Sequence, residues 1–208
     1  FKGIVNVHPS LLPLYRGPAP LQSAIRDGCT ETGVSLIVLD KEVDHGPLLA
    51  QERCAIDADD TTVILSKKIA IMSVKLLLTT VDAYFGGQLS PTPQDHAAAT
   101  FTKMIRREDG QTDFSKSAME LYNQWRAFTP WPGLWTRWQG KRLKLVEVAV
   151  SLESVAVGLV VVKNTDLLVG CGLDSLIIKR LQLEGATGLS TEEFLRGHKE
   201  FVVARLPS

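Results

Sequence analysis

Apolar and polar residues alternate with the periods of strands and helices through the first part of the chain. A short apolar run predicts a strand over residues 1–8 that is buried on both faces. β-Branched and apolar residues predict further strands over 32–40 and 48–56. Apolar positions at helical spacing predict a short helix over 21–27 and a long helix over 63–85. Strands that alternate with helices are typical of an α/β fold, and we interpret this region as half of a doubly wound sheet.

The pattern changes in the second part of the chain. A helical segment is predicted over 117–127, with Ser115 in its N-cap region. Ser190 followed by Glu193 is typical of a capping box, and it predicts the start of a final helix. Between these helices, turn residues separate five short strands, which favour a small OB-like β-barrel; the strands are predicted over 134–139, 143–151, 158–163, 167–171 and 175–183.

These patterns divide the chain into three parts. Residues 1–97 are predicted to form part of a catalytic α/β domain, and residues 134–208 are predicted to form the C-terminal β-barrel domain. Residues 98–133 are predicted to be a linker followed by the helical segment.

Composition and charge exclude some classes of protein. The chain has 208 residues, of which 45% are hydrophobic and 22% are charged, and its formal net charge is zero. A zero net charge argues against a strongly basic nucleic-acid binder, although it permits a local basic patch. Cys29, Cys54 and Cys171 are far apart and odd in number, so neither a zinc site nor a disulfide framework is predicted. Free thiols fit a reducing compartment, and no apolar run is long enough for a membrane helix. We therefore expect a cytoplasmic protein, or one of an organellar matrix.

Three polar residues near predicted strand ends are candidates for chemistry. Asn6 and His8 are two positions apart, so they project from the same face of the first strand, and Pro9 ends that strand. Asp44 follows the second strand. An amide that polarises a carbonyl, an imidazole that moves a proton and a carboxylate that raises the imidazole pKa can together perform an acyl transfer. Each has a structural alternative: a cap for the Asn, a core histidine, and an Asx-turn for the Asp.

Several motifs in this order resemble the folate-dependent formyltransferases. They are Asn-Val-His-Pro-Ser-Leu-Leu-Pro from Asn6, Tyr-Arg-Gly-Pro-Ala-Pro from Tyr15, Glu-Thr-Gly-Val-Ser from Glu31, Val-Asp-His-Gly from Val43 and Thr-Pro-Trp-Pro-Gly from Thr129. The resemblance implies the C-terminal half of a Rossmann-like formyltransferase sheet, preceded by further strand-helix units. It also implies catalysis by Asn6, His8 and Asp44, with the folate contacted by Ser10, Leu11, Leu12 and Pro13.

The resemblance further implies a reaction and its partners. A formyl group would pass from 10-formyltetrahydrofolate, a co-substrate, to the amino group of initiator methionyl-tRNA in translation initiation, without a metal. The full-length protein is expected to be a monomer with no membrane partner. Two alternatives use the same donor motifs: a formyltetrahydrofolate hydrolase or dehydrogenase module, and a sugar-amine formyltransferase. A third alternative is an inactive fragment that retains tRNA binding.

Overall fold

A computed structural model describes residues 3–207 of the chain. Within it the chain divides into two compact units, Phe1–Ile105 and Arg106–Ser208. Each unit has its own sheet. Residues 106–133, expected to belong to a linker and helical segment between the two domains, are part of the second unit because Phe114, Ala118 and Leu121 lie in its hydrophobic core.

From residue 3 onwards, the sheet of the first unit has three strands, each close to a predicted one. They are β1 (Val5–His8), β2 (Glu31–Val38) and β3 (Leu48–Ala55). Their order is β1-β2-β3, and both pairs are antiparallel. The mixed α/β class is confirmed, but β1 is half-buried except at His8, whereas burial on both faces was expected. The reason is that β1 lies at an edge of this sheet; Phe1 and Lys2 lie outside the described residues.

Two helices cover this sheet. They are α1 (Pro20–Arg26) and α2 (Thr62–Phe85), and α2 packs against β2 and β3. The Thr61 side chain caps α2 by accepting the Ile64 N–H, and the helix ends before Gly86, as predicted. The acidic residues before α2 do not lie in its first turn. Asp60 is instead buried, where its carboxylate lies 2.6 Å from Lys68 Nζ.

In the described part of the second unit, up to residue 207, there are six strands and two α-helices. Helix α3 (Ala118–Phe128) has Ser117 as its N-cap rather than Ser115, because Ser117 and Glu120 form a capping box. The predicted capping box of Ser190 and Glu193 opens helix α4 (Thr191–Gly197). The strands are β4 (Leu134–Trp138), β5 (Lys141–Ser151), β6 (Val160–Lys163), β7 (Asp166–Gly170), β8 (Ser175–Leu183) and β9 (Leu189–Ser190).

The six strands form one antiparallel sheet. The order is β4-β5-β8-β7-β6, and β9 pairs with β8. Over the described residues this hydrogen-bonded path does not return from β6 to β4, so the barrel is not confirmed. Side chains from the inner face, from α3 and from the C-terminal aromatic residues Phe194 and Phe201 fill the core. This core belongs to the second unit alone.

Candidate active site

A polar row crosses the three strands of the first unit. His8 on β1 pairs with Ser35 on β2, and Ser35 pairs with Gln51 on β3. Paired residues of antiparallel strands project from the same face, so these three side chains share one face of the sheet. Asn6 lies two residues before His8, pairs with Ile37 and is half-buried on that same face. The predicted placement of Asn6 beside His8 at the end of the strand is therefore observed.

His8 is buried, with only 4% of its surface exposed, and both ring nitrogens face oxygen atoms. Its Nε2 lies 3.1 Å from the carbonyl oxygen of Tyr15, and its Nδ1 lies 3.5 Å from Asp44 Oδ2. A carbonyl oxygen only accepts hydrogen bonds, so Nε2 carries the proton of the neutral ring. A second proton would go to Nδ1, the nitrogen that faces Asp44. The Tyr15 carbonyl thus accepts the Nε2 proton, and Asp44 faces the nitrogen that gains the second proton.

The pKa of His8 reflects burial as well as the neighbouring carboxylate. Burial lowers the pKa of His8 below its usual value of 6.5, and this effect exceeds the smaller raising effects of the Asp44 carboxylate and the Tyr15 carbonyl. Asp44 thus raises the pKa of His8, as expected, but the cost of charging a buried ring is larger and was not anticipated from the sequence. A neutral imidazole at pH 7 is suited to accept a proton.

Asp44 is held in a specific position. Its backbone has φ of +51°, in the left-handed region that non-glycine residues seldom adopt. Its Oδ2 accepts the backbone N–H of Gly17 at 2.8 Å, across a long sequence separation. A local Asx-turn would bind the backbone about two residues further on, so this bond does not fit that alternative. Asp44 instead connects its loop to the segment that follows the first strand.

The loop Ser10–Pro13 is braced from the sheet below it. Ser35 Oγ donates to the Ser10 carbonyl oxygen at 2.6 Å and accepts the Leu12 N–H at 3.0 Å. Gln51 Nε2 donates to the Leu12 carbonyl oxygen at 2.8 Å. Ser10 and Leu12 are buried, whereas Leu11 and Pro13 are partly exposed. Of the four predicted folate-contacting residues, only Leu11 and Pro13 thus present side-chain surface for a flat ligand.

Gly33 of β2 lies directly beneath this loop. A Cβ built on Gly33 would lie 2.5 Å from Leu11 Cδ2 and 2.3 Å from the Glu52 carbonyl oxygen. Such distances are far below van der Waals contact, so only glycine lets the loop approach the sheet this closely.

A second polar network holds the Asp44 loop. Arg16 is buried, and its guanidinium donates through Nε and NH2 to Gln94 Oε1 at 3.2 and 2.7 Å. Gln94 Nε2 donates to the carbonyl oxygens of Asp44 and Gly46 at 2.9 and 2.7 Å. Arg16 NH2 also lies 2.9 Å from His96 Nδ1. Arg16, considered from sequence as an anion site or an exposed residue, thus makes internal hydrogen bonds in this unit.

His45 does not compete for Asp44. Its Nδ1 lies 2.6 Å from Asp40 Oδ2, and its ring stacks on His96 with centroids 3.8 Å apart. The hydrogen bond from His45 lowers the pKa of Asp40. His45 and His96 therefore form a stacked pair, and the contact of His45 is with Asp40.

Sequence reasoning missed Tyr15, Gly17, Ser35, Gln51 and Gln94 as supports of the site. One signal was available: Ser35 is a polar residue between the apolar residues Val34 and Leu36. Gln94 lies in a proline-rich segment that resembles a linker, and its burial depends on contacts with distant residues.

Two further features concern metals and membranes. Among residues 3–207, no group of three His, Cys, Asp or Glu side chains is arranged to hold a metal ion. None of the helices in that range combines the length and apolar character needed to cross a bilayer.

Two family models together match most of the chain. The model described as formyl transferase matches residues 1–81, and the model described as formyl transferase, C-terminal domain, matches residues 104–199. The chain therefore belongs to the formyl transferase family, as the motifs indicated.

Curated relatives at 38 to 44% identity are methionyl-tRNA formyltransferases. The Myxococcus xanthus protein is 44% identical over 198 residues, which are 95% of this chain and 64% of that protein. The Geobacter sulfurreducens protein is 38% identical over 198 residues, which are 95% of this chain and 62% of that protein. The chain thus spans less than two thirds of the length of these relatives.

Solved structures support the fold. HypX from Aquifex aeolicus, in complex with tetrahydrofolic acid, has a TM-score of 0.69 and 19% identity, covering 95% of this chain and 35% of that one. An N-formyltransferase from Helicobacter canadensis, in complex with folinic acid and dTDP-3-aminofucose, has a TM-score of 0.69 and 20% identity. The match covers 84% of this chain and 65% of that one. At these identities the likeness extends to the fold alone.

Proposed function

We propose that the protein transfers the formyl group of 10-formyltetrahydrofolate to the amino group of methionyl-tRNA. The observation that carries this proposal is the 44% identity to a methionyl-tRNA formyltransferase over 198 residues, a span that includes both formyl transferase domains. The arrangement of Asn6, His8 and Asp44 supplies the groups that such a transfer needs.

His8 is the proposed proton acceptor. Formyl transfer requires the attacking amine to lose a proton, and a neutral imidazole whose Nδ1 is unprotonated can accept it. The Asp44 carboxylate, 3.5 Å from Nδ1, then stabilises the positive charge that develops on the ring. Asn6, on the same face of β1, is proposed to donate an N–H to the oxygen of the formyl group as negative charge accumulates there.

The folate is proposed to lie against the loop Ser10–Pro13. Leu11 and Pro13 offer partly exposed apolar surface, which suits a flat heterocycle. Ser10 and Leu12 are proposed to contribute backbone groups and the rigid shape of the loop, since their side chains are buried. As the amine nitrogen bonds to the formyl carbon, the bond from that carbon to the folate nitrogen breaks. The proton taken up by His8 passes to the departing nitrogen, and tetrahydrofolate is released.

The second unit is proposed to help bind the tRNA. Arg137 on β4 pairs with Arg142 on β5, and Lys144 lies two residues further along the same face. Exposed or half-buried cations on one sheet face can neutralise phosphates of a nucleic acid. The Ala186-Thr187 pair adds no cation in the turn after β8.

A substrate comparison tests this proposal. The protein is assayed at the natural length of its gene product and as these 208 residues, with 10-formyltetrahydrofolate and methionyl-tRNA, a dTDP-amino sugar, or no acceptor. We expect formyl-methionyl-tRNA from the natural-length protein. Formylation of the sugar alone, or hydrolysis of the donor alone, would overturn the proposal in favour of the corresponding alternative. Binding of tRNA without transfer at natural length would identify a protein that only binds tRNA.

A further inference from the structure

Gln94 holds the loop that carries Asp44 by its backbone. The side-chain amide nitrogen of Gln94 donates to the carbonyl oxygens of Asp44 and Gly46, which flank His45, at 2.9 and 2.7 Å. Gln94 is only 5% exposed although it lies in a polar, proline-rich segment. The Gln94 amide thus joins the backbone of Asp44 to that of Gly46, directly after the residue whose carboxylate faces His8.

The other end of the Gln94 amide is fixed by Arg16. The Arg16 guanidinium donates two hydrogen bonds to Gln94 Oε1. The amide nitrogen of Gln94, Nε2, must therefore point towards the Asp44 loop. The next residue, Gly17, donates its backbone N–H to Asp44 Oδ2. The segment Arg16–Gly17 therefore holds Asp44 twice, directly at the carboxylate and through Gln94 at the backbone.

We propose that Gln94 is a positioning residue whose amide keeps the Asp44 carboxylate beside His8. Asp44 adopts a left-handed backbone conformation, which is unfavourable for a non-glycine residue and persists only where surrounding contacts impose it. The two hydrogen bonds from Gln94 on either side of His45 supply that constraint. The effect of Gln94 on catalysis rests on the proposed function, whereas its effect on the position of Asp44 does not.

Several charged or titratable groups face this network. His8 faces the Asp44 carboxylate and the Tyr15 carbonyl. Gln94 faces the Arg16 guanidinium, and His96 contacts the same NH2 nitrogen of Arg16. His96 stacks on His45, which binds Asp40, so the ionisable side chains of these three residues also lie near the network. A direct measurement on the His8 ring separates its titration from theirs.

The pKa of His8, measured by NMR on selectively labelled histidine, is the first readout. Gln94→Met has similar length but neither donates nor accepts strong hydrogen bonds. We expect it to lower the pKa of His8, by up to about one pH unit, because Asp44 moves away and its favourable charge is removed. The matched control is Gln124→Met, since Gln124 is also buried and its Nε2 also donates to two carbonyl oxygens, those of Asp109 and Gln111, in the second unit. It should leave the His8 titration unchanged.

A double-mutant cycle with Asp44→Asn isolates the proposed route. If Gln94 acts through Asp44, Gln94→Met lowers the pKa of His8 in the parent but not in the Asp44→Asn background. An equal lowering in both backgrounds, or no lowering in either, would overturn the proposal. Gln94→Asn retains the amide but is one methylene too short, so it should shift the pKa in the same direction and less. Failure of both Gln94 variants to fold would make Gln94 a determinant of the fold and would also overturn the proposal.

Kinetics give the second readout. In the natural-length protein we expect Gln94→Met to lower kcat for formyl transfer by about 10- to 100-fold, with little change in KM for the folate, because misplacement of a catalytic group affects the transition state. Absence of formyl transfer in the parent would refute the proposed function while the NMR cycle still tests the position of Asp44. A rise in KM with kcat unchanged would contradict positioning of Asp44.

Discussion

The Nε2 atom of His8 lies 3.1 Å from the carbonyl oxygen of Tyr15, and the backbone of Tyr15 is in the left-handed region with φ of +58°. This contact determines which nitrogen is available for chemistry. Since the carbonyl requires a donor, the neutral ring presents an unprotonated Nδ1 towards Asp44. Tyr15 therefore contributes to the site through its backbone.

Removal of the imidazole should abolish most of the activity. We expect His8→Ala to reduce kcat for formyl transfer by about 100-fold or more, the usual contribution of a general acid–base group. Steady-state assays with methionyl-tRNA check the prediction. His198→Ala is the control, because His198 lies in the second unit against Trp138 and has no proposed role. Near-normal turnover of a folded His8→Ala variant would exclude His8 as the proton acceptor.

The stability of the protein should depend on pH through His8. Burial lowers the pKa of His8 in the folded protein, so between that pKa and 6.5 the unfolded chain binds more protons. The contribution of neutral His8 to stability is therefore complete above pH 6.5 and decreases as the pH falls through the folded pKa. We expect the parent to lose more unfolding free energy than His8→Gln when the pH falls from about 7.5 to about 5. Urea unfolding at both values measures this difference; equal losses would show that His8 titrates normally.

A methyl group at Gly46 should displace the Asp44 loop. A Cβ built on Gly46 would lie 1.8 Å from the Val38 carbonyl oxygen, so the loop must move to accommodate it. We expect Gly46→Ala to destabilise the protein by about 1–3 kcal/mol and to lower kcat, since Asp44 precedes it by two residues. Thermal unfolding and kinetic assays check both effects. The control is Gly197→Ala at the end of α4, where a Cβ meets nothing within 4 Å; a Gly46 variant as stable and active as this control would contradict the prediction.

The sequence predicted the parts of the site that depend on local pattern. The strand ends at His8 because Pro9 follows it, and Asn6 shares its face because strand side chains alternate. The supports of the site were not predictable in this way. Ser35 reaches the loop at Ser10 only because β1 and β2 pair in one register, and Gln94 contacts residues that are 48 to 78 positions away. The lowered pKa of His8 likewise reflects burial, which depends on the folded chain.

Binding of tRNA, if it uses the sheet of the second unit, should depend on the pair Arg137 and Arg142. These residues are cross-strand partners, and the Arg142 guanidinium lies 4.9 Å from the centre of the Trp135 ring. The stacked position holds its charge at a defined place on the sheet. Replacement of both arginines with Gln should weaken binding and reduce the slope of log K against log salt concentration by about 2, one for each phosphate that is no longer neutralised.

The salt dependence distinguishes the loss of Arg137 and Arg142 from the loss of two positive charges elsewhere on the protein. Lys67→Gln with Lys75→Gln removes the same charge from exposed positions of α2 and serves as the control. Fluorescence titrations of the natural-length protein with initiator and elongator methionyl-tRNA, over a range of salt concentrations, provide the slopes. Because phosphate contacts position a nucleic acid without reading its sequence, the arginine variant should lose affinity for both tRNAs alike. If the two double variants have the same slope, Arg137 and Arg142 bind no phosphates; if only the initiator is affected, they contribute to specificity instead.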